Sequence, residues 1–417
     1  MKLHTTVGIL VLGLLITNQG IAKKLTSYDD LDLTSTPKKI LSQKDTQLLW
    51  NAYKQAPVCF DHPTYGKGIG FKLKKIKKNN FKKNAWTSPF YKFKEEDKHK
   101  VVLGKKIPKP IIEINLVEDY GERSSDADIA IEFFQKASYV GRVGNSDEET
   151  KKVKDVIVNW AKNDALKKGI NVSWGSKPVD YQMMVLINSI LTTTAAIAEN
   201  FNDSEREIVG PWLNNLIKKV AKSKWKDRQD NKAYQTSYIT LIWGLMVNDL
   251  LAVQNSINTV KIAVHDMRPD GSFPIDTQRG GMGIDYNNKS FGYLLMMASL
   301  LKDKTGQDLF LYNVEGRSLH NGADFVIKSI MEPSKINSIY AISCPDGGDQ
   351  FGSADNPSTY FISIATNIMV YANKFPEYEN SDFIMKKYFD TFNNIYLNFI
   401  QSTPSELFTL HPMLISK

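Results

Sequence analysis

Apolar residues recur with helical spacing through most of the chain after about Asp126. Val153, Ile157 and Trp160 are spaced to share one face of a helix, because residues three and four apart are neighbours on a helix surface. Gly169 is expected to end that helix. The same periodicity predicts further helices at about 179–200, 208–220, 233–248, 250–266, 288–303, 317–331, 356–373 and 380–400.

The starts and order of these helices indicate the fold class. Ser204 and Glu207 have the spacing of a capping box in front of the helix that begins near Ile208. Strand-like alternation of apolar and polar residues is scarce after residue 126. Successive antiparallel helices of this length predict an all-α fold built as an α/α toroid.

Three irregular segments interrupt the helices, at 223–232, 268–287 and 344–357. Glycine, proline, aspartate and asparagine are frequent in all three, which is typical of loops. Loops at one rim of a helical toroid can group binding residues around a groove. We therefore expect the functional residues in these segments.

The amino terminus has the pattern of a signal peptide. Lys2 precedes the apolar run Val7–Ile16, and small residues lead to Ala22. The alternative is an uncleaved membrane anchor, but that needs about twenty apolar residues. We expect residues 1–22 to be removed and the mature protein to be periplasmic or secreted, with no stable membrane association.

The net charge of +8 falls only to +7 without the leader, because Lys2 is its one charged residue. A positive field attracts polyanions, and an exported protein meets anionic polysaccharide or lipid more often than nucleic acid. Eight lysines are concentrated between Lys67 and Lys83, interleaved with apolar residues. This stretch is either a solvated arm packed by its aromatic residues or a flap over a polyanion groove.

The chain divides into a signal peptide (1–22), a basic irregular arm (23–110), a helical catalytic domain (111–400) and an extension (401–417). Cys59 and Cys344 are its two cysteines, and they could form a disulfide or remain a free pair. The chain has neither a CxxC nor an HExxH spacing. We expect neither a metal site nor a cofactor.

The segment 268–287 contains the most informative residues. It opens with a Pro-Asp-Gly-Ser turn and continues to Arg279, three glycines and Tyr286. Glycines let the backbone bring both side chains to one point. A nearby arginine favours the phenolate form, which tyrosine needs because its ordinary pKa is about 10. The alternative is that this pair only packs in a turn.

These residues resemble alginate lyases of polysaccharide lyase family 5. The Pro-Asp-Gly-Ser-Phe-Pro turn, with Arg279 seven residues before Tyr286, matches the segment around that family's catalytic arginine and tyrosine. Residues 230–235 (DNKAYQ) stand where the family has Asn-Asn-His-x-Tyr-Trp. Similar stretches occur at 158–166, 212–214, 308–312 and 316–320, in the same order along the chain as in the family. The likeness runs from about residue 139 to 376.

The resemblance implies an incomplete α/α toroid that cleaves β-1,4-linked mannuronate by metal-free β-elimination. By the same resemblance, Asn231 would neutralise the uronate carboxylate and Tyr286 would be the base, the acid or both. Arg279 would stabilise the tyrosine's charge. The predicted substrate-binding residues are Arg228, Tyr234 and Asn288. Of these, Tyr234 is more consistent with packing behind Asn231 than with touching the substrate.

Several positions depart from the family pattern. Lys232 replaces the catalytic histidine, Gln235 a tryptophan and Asp285 a histidine, while Asn367 stands where a late tryptophan is expected. Lys232 could neutralise the carboxylate instead, since an ammonium is a good point charge for an anion. In mannuronate and glucuronate chains the C5 proton and the O4 leaving group lie on one side. One tyrosine can therefore serve both.

We predict a monomeric lyase on mannuronate-rich alginate, with an anionic polysaccharide as its partner and no nucleic acid. A lyase on another β-1,4 polyuronate, such as a glucuronan, is the first alternative. The second is a non-catalytic polysaccharide-binding relative. The presence of Lys232 in place of the catalytic histidine favours this alternative.

Overall fold

The computed structural model describes residues 25–54, 73–77, 80–90, 103, 106–115, 125–140, 147–172, 175–177, 181–223, 229–340, 352–353, 356–357, 359–378 and 381. Its helices are α1 (Gln43–Asn51), α2 (Asn80–Lys83), α3 (Ser125–Val140), α4 (Asp147–Lys162), α5 (Tyr181–Ala196), α6 (Asp203–Ala221), α7 (Asn231–Val247), α8 (Leu250–Asp266), α9 (Pro274–Thr277), α10 (Gly283–Thr305), α11 (Leu319–Met331), α12 (Pro333–Tyr340) and α13 (Thr359–Lys374). The strands are β1 (Glu113–Asn115), β2 (Gly169–Val172), β3 (Gly175–Lys177), β4 (Gly352–Ser353) and β5 (Asn356–Pro357). The predicted all-α class is confirmed.

The helices form two layers. Helices α5, α7 and α10 are buried along most of their length, and their buried residues include polar as well as apolar side chains. They pack in series, α3 against α5, α5 against α7, α7 against α10 and α10 against α13. Helices α4, α6, α8 and α11 each keep a polar face outside this row. An inner row covered by an outer row is the arrangement of an α/α toroid.

The predicted start of α6 was wrong. The capping box of α6 is formed by Asn202 and Glu205, not by Ser204 and Glu207. Asn202 Oδ1 accepts from the Glu205 N–H at 3.0 Å, and Glu205 accepts from the Asn202 N–H at 2.9 Å. Both sets have the same spacing, and asparagine is as good an N-cap as serine, so the earlier start prevails.

The segment 268–287, predicted as a loop, is largely helical. It contains α9, a 3-10 turn at Gly280–Met282 and the first turn of α10, which begins at Gly283. Gly280 has φ +58°, but Gly283 has an ordinary helical φ of −60°. The loop predicted at 223–232 likewise ends early, because Asn231 begins α7. The high glycine content concealed the early start of α10.

Some elements were not predicted. Strands β1, β2 and β3 form a small sheet in which β1 pairs with β2 in parallel and β2 with β3 antiparallel. Strands of three or four residues are too short to show a clear alternation. Strands β4 and β5 pair within the predicted loop 344–357. The helix predicted at 380–400 lies outside the described residues apart from Ser381.

The amino-terminal arm packs on the toroid through its aromatic residues. Phe81 lies between Trp243 and Gly210, where an added Cβ would come within 2.5 Å of the phenylalanine ring. Trp86 packs against Phe201, with their ring centroids 5.5 Å apart. Lysines 74, 75, 77, 82 and 83 are exposed. In the part of the chain that the structure describes, no helix has both the length and the apolarity to cross a bilayer.

Candidate active site

Tyr286 and Arg279 lie together at the start of α10. Tyr286 is in the first turn of that helix, and Arg279 is the residue before the 3-10 turn. The guanidinium carbon lies 4.4 Å from the centroid of the tyrosine ring, which is a cation–π contact. Tyr286 is partly exposed, whereas Arg279 is buried. The structure thus brings together the two residues that the sequence separates by a glycine-rich stretch.

The pKa of Tyr286 is set by burial and by four charged groups. Burial raises this pKa above its ordinary value, and Arg279 and Lys289 lower it. Asp285 and Asp276 raise it further. Arg279 therefore acts in the direction expected from the sequence, but burial outweighs it, and the phenol of the free protein is held in its protonated form.

Asn231 and Lys232 lie in the first turn of α7. Asp230 is the N-cap, and its Oδ1 accepts from the N–H groups of Lys232 and Ala233, each at 3.2 Å. Asn231 is buried, and no hydrogen bond from the described residues reaches its Oδ1. The Lys232 ammonium lies 5.2 Å from the ring centroid of Tyr181, the first residue of α5. An amide and an ammonium at a helix amino terminus are suited to a carboxylate ligand.

Asp276 and Phe273 connect these two groups of residues. The Phe273 ring packs against the Tyr234 ring of α7, and its backbone N–H donates to Asn287 Oδ1 of α10 at 2.6 Å. Asp276 accepts a short hydrogen bond from the Ser290 hydroxyl. Its charge raises the pKa of both Tyr234 and Tyr286. The amino-terminal turns of α7 and α10 are therefore held close to one another by the segment that contains α9.

The predicted binding residues occupy different environments. Tyr234 is fully buried, and its hydroxyl donates to the Gln229 carbonyl at 3.4 Å, so it packs behind the first turn of α7. Asn288 is also fully buried and accepts from Asn367 Nδ2 at 3.1 Å. Arg228, like Cys59 and Cys344, lies outside the described residues.

Asn367 packs tightly on α10. An added Cβ at Gly292 would lie 2.4 Å from its Nδ2 atom. Asn367 also donates to the backbone carbonyl of Asn288 at 3.2 Å. A residue this buried, at 1% exposure, orients Asn288 and does not form a surface for sugar rings.

The comparison with known families identifies the chain's relatives. The family model for alginate lyases matches residues 113–336, which is more than half of the 417-residue chain. This chain belongs to the alginate lyase family. The matched range contains Asn231, Arg279 and Tyr286 and ends before Asn367. The family predicted from the sequence is confirmed.

Individual relatives of this alginate lyase family member are distant. A polysaccharide lyase of Stenotrophomonas maltophilia is 24% identical over 187 residues, which are 40% of this chain and 55% of the relative. The aligned part thus spans about half of the relative's length. The structure of a variant of alginate lyase A1-III complexed with a tetrasaccharide has a TM-score of 0.50 and 20% identity, covering 85% of this chain and 89% of that one. This second likeness supports the α/α toroid fold.

A further solved structure, alginate lyase A1-III from Sphingomonas species A1, has a TM-score of 0.49 and 19% identity. The likeness covers 78% of this chain and 86% of that chain.

Among the residues with described positions, no three histidine, cysteine, aspartate or glutamate side chains are grouped closely enough to hold a metal ion.

Sequence reasoning missed three charged residues of this family member's site. Asp276 and Asp266 gave no signal, because single acidic residues are common in loops and at helix ends. Lys289 could have been found, since it follows Tyr286 by three residues and such residues are neighbours on a helix. Lys289 and Asp285 form an ion pair at 2.9 Å.

Asp266, the last residue of α8, is a buried acid near the site. Among the described residues no hydrogen bond reaches either carboxyl oxygen. Burial raises its pKa to about 8, and Arg317 opposes the rise only in part. Its charge also raises the pKa of Tyr234. In the folded protein this carboxyl keeps its proton to a higher pH than it does in the unfolded chain.

We predict that Asp266→Asn stabilises the protein more at high pH than at low pH. Because the pKa of Asp266 is raised in the folded state, its contribution is present at acidic pH and lost as pH rises through about 8. The loss can reach about 1.4 kcal/mol per pH unit between the unfolded and folded pKa values. Urea unfolding across this range should show the variant gaining on wild type. Exposed Asp29→Asn is the control, and parallel curves for Asp266→Asn and wild type would contradict the prediction.

Proposed function

We propose that this chain is a polysaccharide lyase that cleaves mannuronate-rich alginate by β-elimination and leaves 4,5-unsaturated uronate ends. The observation that carries the proposal is the contact at the start of α10 between the Arg279 guanidinium and the ring of Tyr286, 4.4 Å from guanidinium carbon to ring centroid. Membership of the alginate lyase family and the positive charge of the chain support an anionic polysaccharide as the substrate.

The first step would be neutralisation of the uronate carboxylate. A carboxylate next to C5 makes the C5 proton removable only when its negative charge is offset. Asn231 offers an amide and Lys232 an ammonium at the amino terminus of α7, where the helix dipole also favours an anion. The buried position of Asn231 strengthens its interaction with a charged ligand, because the local dielectric is low.

The elimination itself would use Tyr286. Its phenolate oxygen takes the C5 proton, the C5–H electron pair forms the C4–C5 double bond, and the C4–O4 bond breaks. The same hydroxyl can return the proton to O4, because both lie on one face of a mannuronate ring. Arg279 stabilises the phenolate. Since the pKa of free Tyr286 is raised, we expect the rate to increase toward alkaline pH.

A non-catalytic polysaccharide-binding protein is the second candidate function. The observation in its favour is Lys232, which stands at the position of the family histidine.

The lyase proposal also includes export and a monomeric state. The leader pattern supports export to the periplasm or the medium, and the toroid fold supports a monomer.

A panel of polyuronates tests the proposal. Purified protein is incubated with mannuronate blocks, guluronate blocks and a glucuronan, and the absorbance of the new double bond is followed. We expect cleavage of mannuronate blocks, and cleavage of glucuronan alone would move the assignment to that substrate. Lys232→His provides the comparison, because it restores the family residue. If only this variant cleaves and wild type merely binds, the protein is a binding relative.

A further inference from the structure

Lys289 is the second cation at the ring of Tyr286. Its ammonium nitrogen lies 5.3 Å from the ring centroid, and the Arg279 guanidinium carbon lies 4.4 Å from it. Lys289 follows Tyr286 by three residues on α10, so the two side chains lie on the same face of the helix. Its side chain is 18% exposed, which is low for a lysine.

Asp285 fixes the position of this ammonium. The Asp285 side chain is almost completely buried, and its Oδ2 atom lies 2.9 Å from Lys289 Nζ. A buried carboxylate is costly unless a cation compensates it, and here Lys289 is that cation. A lysine ammonium at the end of a flexible stem would otherwise sample many positions. The ion pair therefore restricts Lys289 to the neighbourhood of Tyr286.

We infer that Lys289, held by Asp285, is a positioning residue whose ammonium stabilises the anion of Tyr286 during proton transfer. The inference rests on the proposed lyase function. Lys289 keeps its own protons throughout. The proton moves from C5 to the phenolate oxygen and on to O4, and the ammonium offsets the negative charge of the phenolate form.

The charges around Tyr286 agree with this role. Arg279 and Lys289 lower the pKa of Tyr286, while burial, Asp285 and Asp276 raise it. Asp285 alone would therefore disfavour the phenolate, and it is compensated by the lysine that it holds. Arg279 comes from the segment before α10 and Asp276 from α9, so Lys289 is the cation that α10 itself supplies.

A matched lysine on the same helix serves as the control. Lys302 is paired with Asp308 at 2.7 Å near the other end of α10 and is 43% exposed. Lys302→Met and Lys289→Met remove the same charge from the same helix. Lys289→Arg keeps the charge and should restore the function.

The pH dependence of kcat on mannuronate blocks is the first test. Removing a cation beside the phenol raises its pKa, so Lys289→Met should move the alkaline rise of kcat upward by about 1 pH unit. At neutral pH this is about a 10-fold loss of kcat. The kcat of Lys289→Arg at neutral pH should stay within about 3-fold of wild type, because the charge is kept. The pH profile of Lys302→Met should superimpose on that of wild type. A profile of Lys289→Met that superimposes on wild type would overturn the inference.

A second measurement does not depend on turnover. Tyrosine is labelled at its ring carbons, the Tyr286 resonance is assigned by its loss in Tyr286→Phe, and its titration is followed by NMR. We expect Lys289→Met to raise the midpoint and Lys302→Met to leave it unchanged. An unchanged midpoint in Lys289→Met would overturn the inference. If wild type cleaves no polyuronate, the lyase proposal fails, and this titration still decides what Lys289 does to Tyr286.

Discussion

Tyr286→Phe is expected to lower kcat by about 10⁴-fold or more on any polyuronate that wild type cleaves. Acid–base catalysis by one group typically contributes about 10²- to 10⁴-fold, and here a single hydroxyl serves both the C5 proton and O4. The partly buried phenol beside Arg279 is placed for both tasks. Steady-state kinetics of the purified variant give the measurement, and KM should change far less than kcat, because the aromatic ring remains.

The stability of Tyr286→Phe should stay close to that of wild type. Only a hydroxyl is lost, which costs about 1 kcal/mol. The contact between Arg279 and the ring is preserved. Tyr293→Phe is the control, because Tyr293 is a buried tyrosine on the same helix and packs against Tyr238. It should keep kcat within about 3-fold of wild type. If Tyr286→Phe turned over at the wild-type rate, another residue would have to be the base.

The helices could be predicted because their apolar residues recur with helical spacing. The bounds predicted for α8, 250–266, are those observed, since apolar residues recur along this helix between Asp249 and Met267. The prediction failed where two local signals competed. Asn202 and Ser204 are both good caps, and the helix begins after the earlier of the two. The glycines before Tyr286 likewise indicated a loop, although α10 had already begun at Gly283.

The candidate site was predictable only as far as its motifs extend. Arg279 and Tyr286 were found from their spacing and the family resemblance, and the structure places them in contact. The net direction of the Tyr286 pKa was not predictable, because it depends on burial by residues distant in sequence. Asp266 was missed for the same reason, since nothing beside it in the chain shows that its carboxyl group is buried without a hydrogen bond from the described residues.

Gly271 is the residue at which a single methyl group should damage the site most through the fold. It has φ +88°, and its N–H donates to the Arg268 carbonyl at 2.9 Å in the turn before α9. An added Cβ would lie 1.8 Å from the backbone oxygen of Asn321 in the first turn of α11. That oxygen belongs to helical backbone, so it cannot move aside as a flexible side chain could.

We expect Gly271→Ala to lower the free energy of unfolding by about 3 to 5 kcal/mol, from a strained φ and an overlap with backbone. Gly306→Ala is the matched control, because Gly306 has φ +71° but nothing within 4 Å of an added Cβ. That variant should lose only about 1 to 2 kcal/mol, the cost of the left-handed conformation. Urea titrations of both variants give the difference.

The damage from Gly271→Ala should extend to activity in the protein that still folds. Two residues after Gly271, the Phe273 N–H donates to Asn287, the residue that follows Tyr286. A displaced turn would therefore shift the first turn of α10 and separate Tyr286 from the first turn of α7. Small displacements of positioned groups can cost about 10²-fold in rate. Equal losses of stability in Gly271→Ala and Gly306→Ala, with normal activity in both, would show that α11 can yield to the methyl group.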